Sequence, residues 1–242
     1  MDRRLVLAAC VAAVICLTLP AVASAAASWA GTWVKVADGA AYTPTSSVKV
    51  SFYGTCTYDD YFHTQLVPAI SGDLTSGPKW TNMPVDDSGF EQNGKYMTSW
   101  VSGAEGDIPL APGDGVKRVQ MQIWNQAITA FSPIYTATVT LDTRGPRTVA
   151  PYRLTAKKGG YVTVSYQAQD ELSPTATVSI QLRSSAGKKL KTIHLGDQET
   201  GKLLTYLLKV SLPNGAYKYA VLATDLAGNA ASKVGTNGLT VR

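Results

Sequence analysis

The chain reads as all-β, two β-sandwich bodies in tandem behind an N-terminal export leader, and three observations lead there. Apolar residues recur at every second position in several stretches: Val48, Val50 and Phe52; Val162, Val164 and Tyr166; Tyr217, Tyr219, Val221 and Ala223. That is the period of a strand with one buried face. Turn chemistry separates such stretches, as at Pro213, Asn214 and Gly215, where Gly and Asn tolerate the positive φ of a tight reversal. The chain also repeats itself. Gly115 to Ala130 falls on Gly215 to Ala230, placing Val119, Met121 and Ile123 where Tyr219, Val221 and Ala223 stand. No segment carries a helical period.

The leader comes first. Arg3 and Arg4 precede an apolar run from Leu5 to Leu19, with Thr18 its one polar residue, then Pro20 and the small-x-small site Ala23, Ser24, Ala25. This is the pattern of a secretory signal peptide over residues 1–25. The run is short for a membrane span, so the mature chain is expected to carry no transmembrane segment and to be secreted, in association with a cell surface. Residues 26–142 and 143–242 then suit two domains of about 100 residues each. Cys10 and Cys16 leave with the leader, and Cys56 is left without an intramolecular partner. Packed sheets rather than disulfides must hold such an exported chain together. Cys56 shares parity with Val50 and Phe52, which predicts a buried thiol.

Charge divides the chain. From Ala26 to Asp142, 6 Lys and Arg face 11 Asp and Glu; from Thr143 to Arg242, 14 face 5. The first body is acidic and the second basic.

In order, Ala26 to Thr45 reads as a lead-in and an edge strand, and Val48 to Phe52 as the first well-marked strand. The matching strand of the second body starts at Val162, 114 positions later against 100 for the later landmark, so the first body holds extra chain between the two. Gly54 to Asp107 carries it, rich in Asp, Gly, Ser and aromatic residues, and reads as short strands joined by long loops. Val119 to Ile123 and Tyr135 to Leu141 complete the first body. Asp142 to Pro146 is a short junction whose Gly and Pro limit swinging. In the second body Val178, Ile180 and Leu182 alternate, Leu190 to Leu195 is a short strand, and Leu204, Tyr206, Leu208, Val210 and Leu212 share a face. Tyr217 to Ala223 and Gly238 to Val241 end a set of about seven strands, the spacing of a sandwich.

The turn at Pro213 to Gly215, Tyr217, the strand after it and the loop Asp225, Leu226, Ala227, Gly228, Asn229 resemble the penultimate strand and loop of bacterial immunoglobulin-like and fibronectin type III-like modules. Leu141 to Pro146 resembles the junction linking such modules in tandem in secreted bacterial proteins. The first body departs from the pattern, with Lys117 in place of Tyr217 and Asn125 to Thr129 in place of the Asp-x-Ala-Gly-Asn loop. The resemblance implies two immunoglobulin-like sandwiches in an extracellular setting, and only loosely a role, because this fold hosts many functions.

No catalytic set is expected. Nucleophilic catalysis needs a base beside its nucleophile, and the mature chain offers only His63 and His194, neither next to a matching partner. A secreted hydrolase would need two carboxylates across a cleft, which a small sandwich does not advertise. Three other chemistries are open. Tyr58, Tyr61, Phe62 and Tyr96 would stack on sugar rings if exposed, since an aromatic face is flat and apolar with polar rims, while Trp80 and Trp100 are expected in the core. Calcium, the one cofactor considered, takes oxygen ligands, and Asp170, Asp225 and Asn229 lie in loops that would meet at one end of the second sandwich. Lys157, Lys158, Arg183, Lys188, Lys189 and Lys191 form a basic surface for an anionic cell-wall polymer. Nothing interleaves aromatic and basic residues as nucleic-acid binding requires. The reading is a non-enzymatic adhesive, spacer or assembly module that meets a protein or wall polymer, with carbohydrate binding as the alternative.

Overall fold

The computed structural model describes residues 27–59 and 65–242; the leader, Tyr61, Phe62 and His63 lie outside the described residues. The chain is all-β. The first ten strands are β1 (Ser28–Val36), β2 (Tyr42–Thr43), β3 (Ser47–Asp59), β4 (Leu66–Gly72), β5 (Thr81–Asn82), β6 (Asp87–Asn93), β7 (Tyr96–Pro109), β8 (Gly115–Asn125), β9 (Ala130–Phe131) and β10 (Tyr135–Leu141). Eight follow: β11 (Arg147–Val149), β12 (Leu154–Ala156), β13 (Tyr161–Gln169), β14 (Thr175–Ser184), β15 (Lys189–Glu199), β16 (Leu204–Lys209), β17 (Gly215–Thr224) and β18 (Gly235–Val241). Among the described residues no helix is long and apolar enough to cross a membrane.

These strands make two tandem immunoglobulin-like sandwiches. In the first, a sheet ordered β1-β3-β7-β6 packs on one ordered β2-β10-β8-β4-β5, with β9 paired to β8; in the second, β11-β13-β16 packs on β12-β18-β17-β14-β15. The internal repeat is visible in this order: β3, β8 and β10 correspond to β13, β17 and β18. Each module also runs a short strand parallel to its last one, β2 beside β10 and β12 beside β18.

Alternation produces the cores. Along β3, Val48, Val50, Phe52, Cys56 and Tyr58 point inward to meet Val119, Met121 and Ile123 of β8. Along β13, β14 and β17, Val164, Tyr166, Val178, Ile180, Tyr219 and Val221 do the same around a second centre. Each large side chain buried in this way stabilises by about 1.5–3 kcal/mol. Two inward positions are glycine for a steric reason. A Cβ on Gly54 would meet Ile123 of the opposite sheet, and one on Gly103 would meet the Phe52 ring and the Pro84 carbonyl.

The stretch from Gly54 to Asp107 is more regular than its composition predicts. β3 runs on to Asp59, and β7 spans 14 residues. Its Ser, Thr and Gly residues are strand positions between buried neighbours, because the ladder between β3 and β7 continues from Ser47 and Pro109 to Asp59 and Tyr96. The extra chain is in part β6, which turns through Gly94 and adds a fourth strand where the second module has three. The short strand expected at Leu190 to Leu195 is longer, Lys189–Glu199, with two register shifts against β14.

Candidate functional site

Among the described residues, a group of converging carboxylates lies at the end of the second module that faces the first. β10 ends at Leu141, and Asp142 is held from both sides. Its amide donates to the Thr43 carbonyl of the first module, and its carbonyl accepts from Asn229 Nδ2 of the second at 2.8 Å. Its carboxylate accepts from Arg144 N and from Ser173 Oγ, both at 3.3 Å. Asp225 follows β17 and accepts Asn229 N and Nδ2 at 2.8 and 2.9 Å, closing a loop in which Gly228 adopts positive φ. Asp170 follows β13, where its Oδ1 caps Leu172 N and Ser173 N.

These loops bring ligand oxygens of Asp142, Asp170 and Asp225 within 4.8 Å of one another, with Asp142 and Asp225 buried. Burial pushes the Asp142 carboxyl above the ordinary carboxylate range and the charges of Asp170 and Asp225 add to this, while the bonds from Arg144 N and Ser173 Oγ work the other way. Three converging carboxylates are a hard-cation donor set. Asp170 and Asp225 meet as the sequence predicts. Asn229 enters differently, as a donor that ties Asp225 to Asp142 rather than as a third oxygen. Asp142 is the residue that sequence reading misses; the available signal was an acid directly after a strand in a stiff junction. Beside the triad a cleft of about 590 Å³ runs between the modules, lined by Asp114, Arg144, Arg147 and Glu171 among others.

Of the expected aromatic platform only Tyr58 and Tyr96 are among the described residues, and Tyr58 does not take part in it. Tyr58 is fully buried and its hydroxyl shares a 3.0 Å hydrogen bond with Ser99 Oγ, so its ring is closed to any ligand. The parity that buries Cys56 buries Tyr58 two residues later. Tyr96 is exposed, with Lys95 Nζ 5.0 Å from its ring centre. The expectation for the two tryptophans also fails: Trp80 is 44% exposed, and Trp100 lies on the outer face of β7, its ring over Gly89 of β6 where a Cβ would collide. On the same face Trp33 stacks with Tyr53 at 6.5 Å. Among the described residues, outward aromatics on strands join the exposed loop residue Trp80 on the surface of the first module.

His194 stands exposed on β15 opposite Ser179. The predicted basic residues separate into two groups. Lys157, Lys158 and Lys188 are exposed in turns remote from the triad, and Lys191 pairs with inward-facing Leu182 at the sheet edge. Arg183 and Lys189 sit opposite one another on the outer face of β14 and β15.

No family model matches the chain, and no curated protein matches it. Among solved structures, a tetra-tandem repeat in the extending region of a large adhesion protein is similar at 16% identity and a TM-score of 0.34, over 89% of this chain and 50% of that one. The chain thus spans about half the length of that structure. The calcium-binding domain CBD12 of CALX1.1 is similar at 9% identity and a TM-score of 0.26, over 86% of this chain and 99% of the other.

Proposed function

We propose that the protein is a secreted, cell-surface pair of immunoglobulin-like modules working without catalysis as a spacer, adhesive or assembly element. The observation that carries this reading is the junction. One residue, Asp142, is bonded by its amide to the first module and by its carbonyl and carboxylate to the second. Around it, Thr143 bonds Asp114, Ser232 Oγ bonds the Gly145 carbonyl at 2.8 Å, and Tyr42 OH reaches the Leu172 carbonyl at 3.4 Å. A spacer needs its modules at a set angle, and a short linker with its polar groups satisfied from both sides provides one. Spin labels placed on the two modules test this. The expected result is one narrow distance distribution that broadens in Asn229→Ala; a broad distribution in the unaltered protein refutes the spacer reading.

The donor set of Asp142, Asp170 and Asp225 favours calcium as the ion that strengthens this junction. Two of the carboxylates are buried, and a cation would relieve their mutual repulsion. Bound calcium would supply charge neutralisation there, while Asn229 and Ser173 orient the carboxylates. Melting in EDTA and in calcium is the test: at a hundredfold excess over Kd the gain is about 2.7 kcal/mol. An unchanged melt over millimolar calcium removes calcium from the account. Carbohydrate binding stays as the second reading, without the buried Tyr58 and with the outer-face rings Trp33, Tyr53 and Trp100 beside the exposed Tyr96.

A further inference from the structure

The outer face of the five-stranded sheet carries a line of cations. Register sets Lys189 of β15 opposite Arg183 of β14, Arg183 opposite Lys218 of β17, and Lys218 opposite Gly238 of β18. Arg153, immediately before β12, closes the line, its Cγ 3.9 Å from where a Gly238 Cβ would stand. Four cations thus cross five strands in one row. At a strand spacing of about 4.8 Å the row is about 19 Å long.

Two features separate this row from scattered surface lysines. Like charges directly opposite on neighbouring strands destabilise a sheet, and among the described residues no carboxylate forms a salt bridge with any of the four. The side-chain bond that Arg183 does make is to a neutral group: its Nε donates to Gln181 Oε1 at 2.6 Å. No ion pair among the described residues offsets the repulsion. The row also runs beside a trough rather than over a bulge. Ala216, Gly238, Thr155, Thr236 and Thr240 line a depression of about 550 Å³ that Arg153 and Lys218 enter. Small residues make room for a chain, and threonine hydroxyls add neutral donors.

We propose that this trough binds an extended polyanion, a flexible chain bearing phosphodiester or similar anionic groups at intervals, laid across the strands. A single anion would engage two neighbouring cations; only a chain engages four over this length. Two aromatics lie near the row: Tyr217, which also lines the trough and whose hydroxyl donates to the Pro213 carbonyl, and Tyr152, exposed beside Arg153. They do not form the run of successive rings on which bases stack, so a plain polyanion fits the row better than a single strand of nucleic acid. The inference gives the adhesive reading of the proposed function a ligand class and is independent of the junction, so the spin-label measurement and the binding measurement fail separately.

The experiment uses the full mature chain and poly(glycerol phosphate), with long-chain polyphosphate as a second probe, titrated at several salt concentrations. Binding is expected to weaken steeply with salt. Replacing Arg183 and Lys218 together by Gln is expected to lower affinity at least about tenfold at about 50 mM salt and to reduce the log–log salt slope by about 1.5, since each lost contact removes about 0.7–0.9 of it. The control, Lys209→Gln with Lys233→Gln, removes the same charge from exposed positions outside the row and is expected to stay within about twofold. Circular dichroism melts confirm that both variants fold. The proposal is overturned by absence of binding at that low salt, by equal loss in the control pair, or by tighter binding to anionic phospholipid vesicles or to single-stranded DNA of matched charge.

Discussion

Replacing Asp142 by Asn in the calcium-free protein is expected to raise its stability at neutral pH. Ligand oxygens of Asp142, Asp170 and Asp225 lie within 4.8 Å of one another. At that separation and an effective dielectric near 20, each like-charge pair costs about 3 kcal/mol. Asp170 is partly open to solvent, which screens its share, whereas Asp225 is only 6% exposed. Against the gain stand the two bonds that the Asp142 carboxylate accepts, both long at 3.3 Å. An Asn side chain keeps one of them, since its Oδ1 still accepts from Arg144 N, and its Nδ2 can donate to the Ser173 hydroxyl oxygen. The net expectation is a gain of about 1–2 kcal/mol, or a melting rise of several degrees in EDTA at pH 7. The pH dependence supplies a second check. The folded pKa of Asp142 is raised, so between the ordinary carboxylate value and that raised value the folded state binds more protons than the unfolded one. In that window stability of the unaltered protein falls as pH rises. The Asp142→Asn variant lacks this titration, so the difference between the two proteins should shrink as pH is lowered through the window. In calcium the order should reverse, because the variant has lost a ligand. A variant less stable than its parent in EDTA, by a margin that ignores pH, would refute the repulsion argument.

Other perturbations probe the cores and the junction. Tyr58→Phe should cost about 1 kcal/mol in denaturant titration by leaving Ser99 Oγ without its 3.0 Å partner, and Tyr58→Ala about 3–5 kcal/mol through the cavity. Cys56 is fully buried and burial pushes its thiol up, against a weaker pull from the Asn125 hydrogen bond, so an aromatic disulfide reagent at pH 8 should label it only at the rate of unfolding. Gly145→Ala would force a Cβ onto the Ala230 carbonyl, which is backbone, and should lower the melting point by an amount matching about 1–3 kcal/mol.

Strand parity made the fold legible from the residues alone. Val48, Val50, Phe52 and Cys56 declared one inward face, and the shift of one hundred positions between Gly115 and Gly215 matched β8 to β17. The same parity pointed to a buried Tyr58, but its aromatic and acidic neighbours in the sequence suggested a loop. Composition misled again at Trp100, where outward placement is possible because Gly89 on the next strand leaves room for the indole. The triad was half legible: Asp170 and Asp225 end strands of one sandwich, whereas Asp142 joins them through a module boundary, a relation that local pattern does not encode. The cation row was hidden for a related reason. Arg183 and Lys189 are near in sequence, but Lys218 and Arg153 join them only through pairing across the sheet.

The parallel pairings have a mechanical consequence. In each module the closing strand is flanked on one side by a partner running the same way and on the other by one running opposite, as β18 is by β12 and β17. A pull transmitted along the polypeptide would load those ladders lengthwise, so that many bonds must give together instead of one after another. Resistance to traction of this kind reflects the unfolding rate rather than the equilibrium, and it would suit a tether that is strained while it holds.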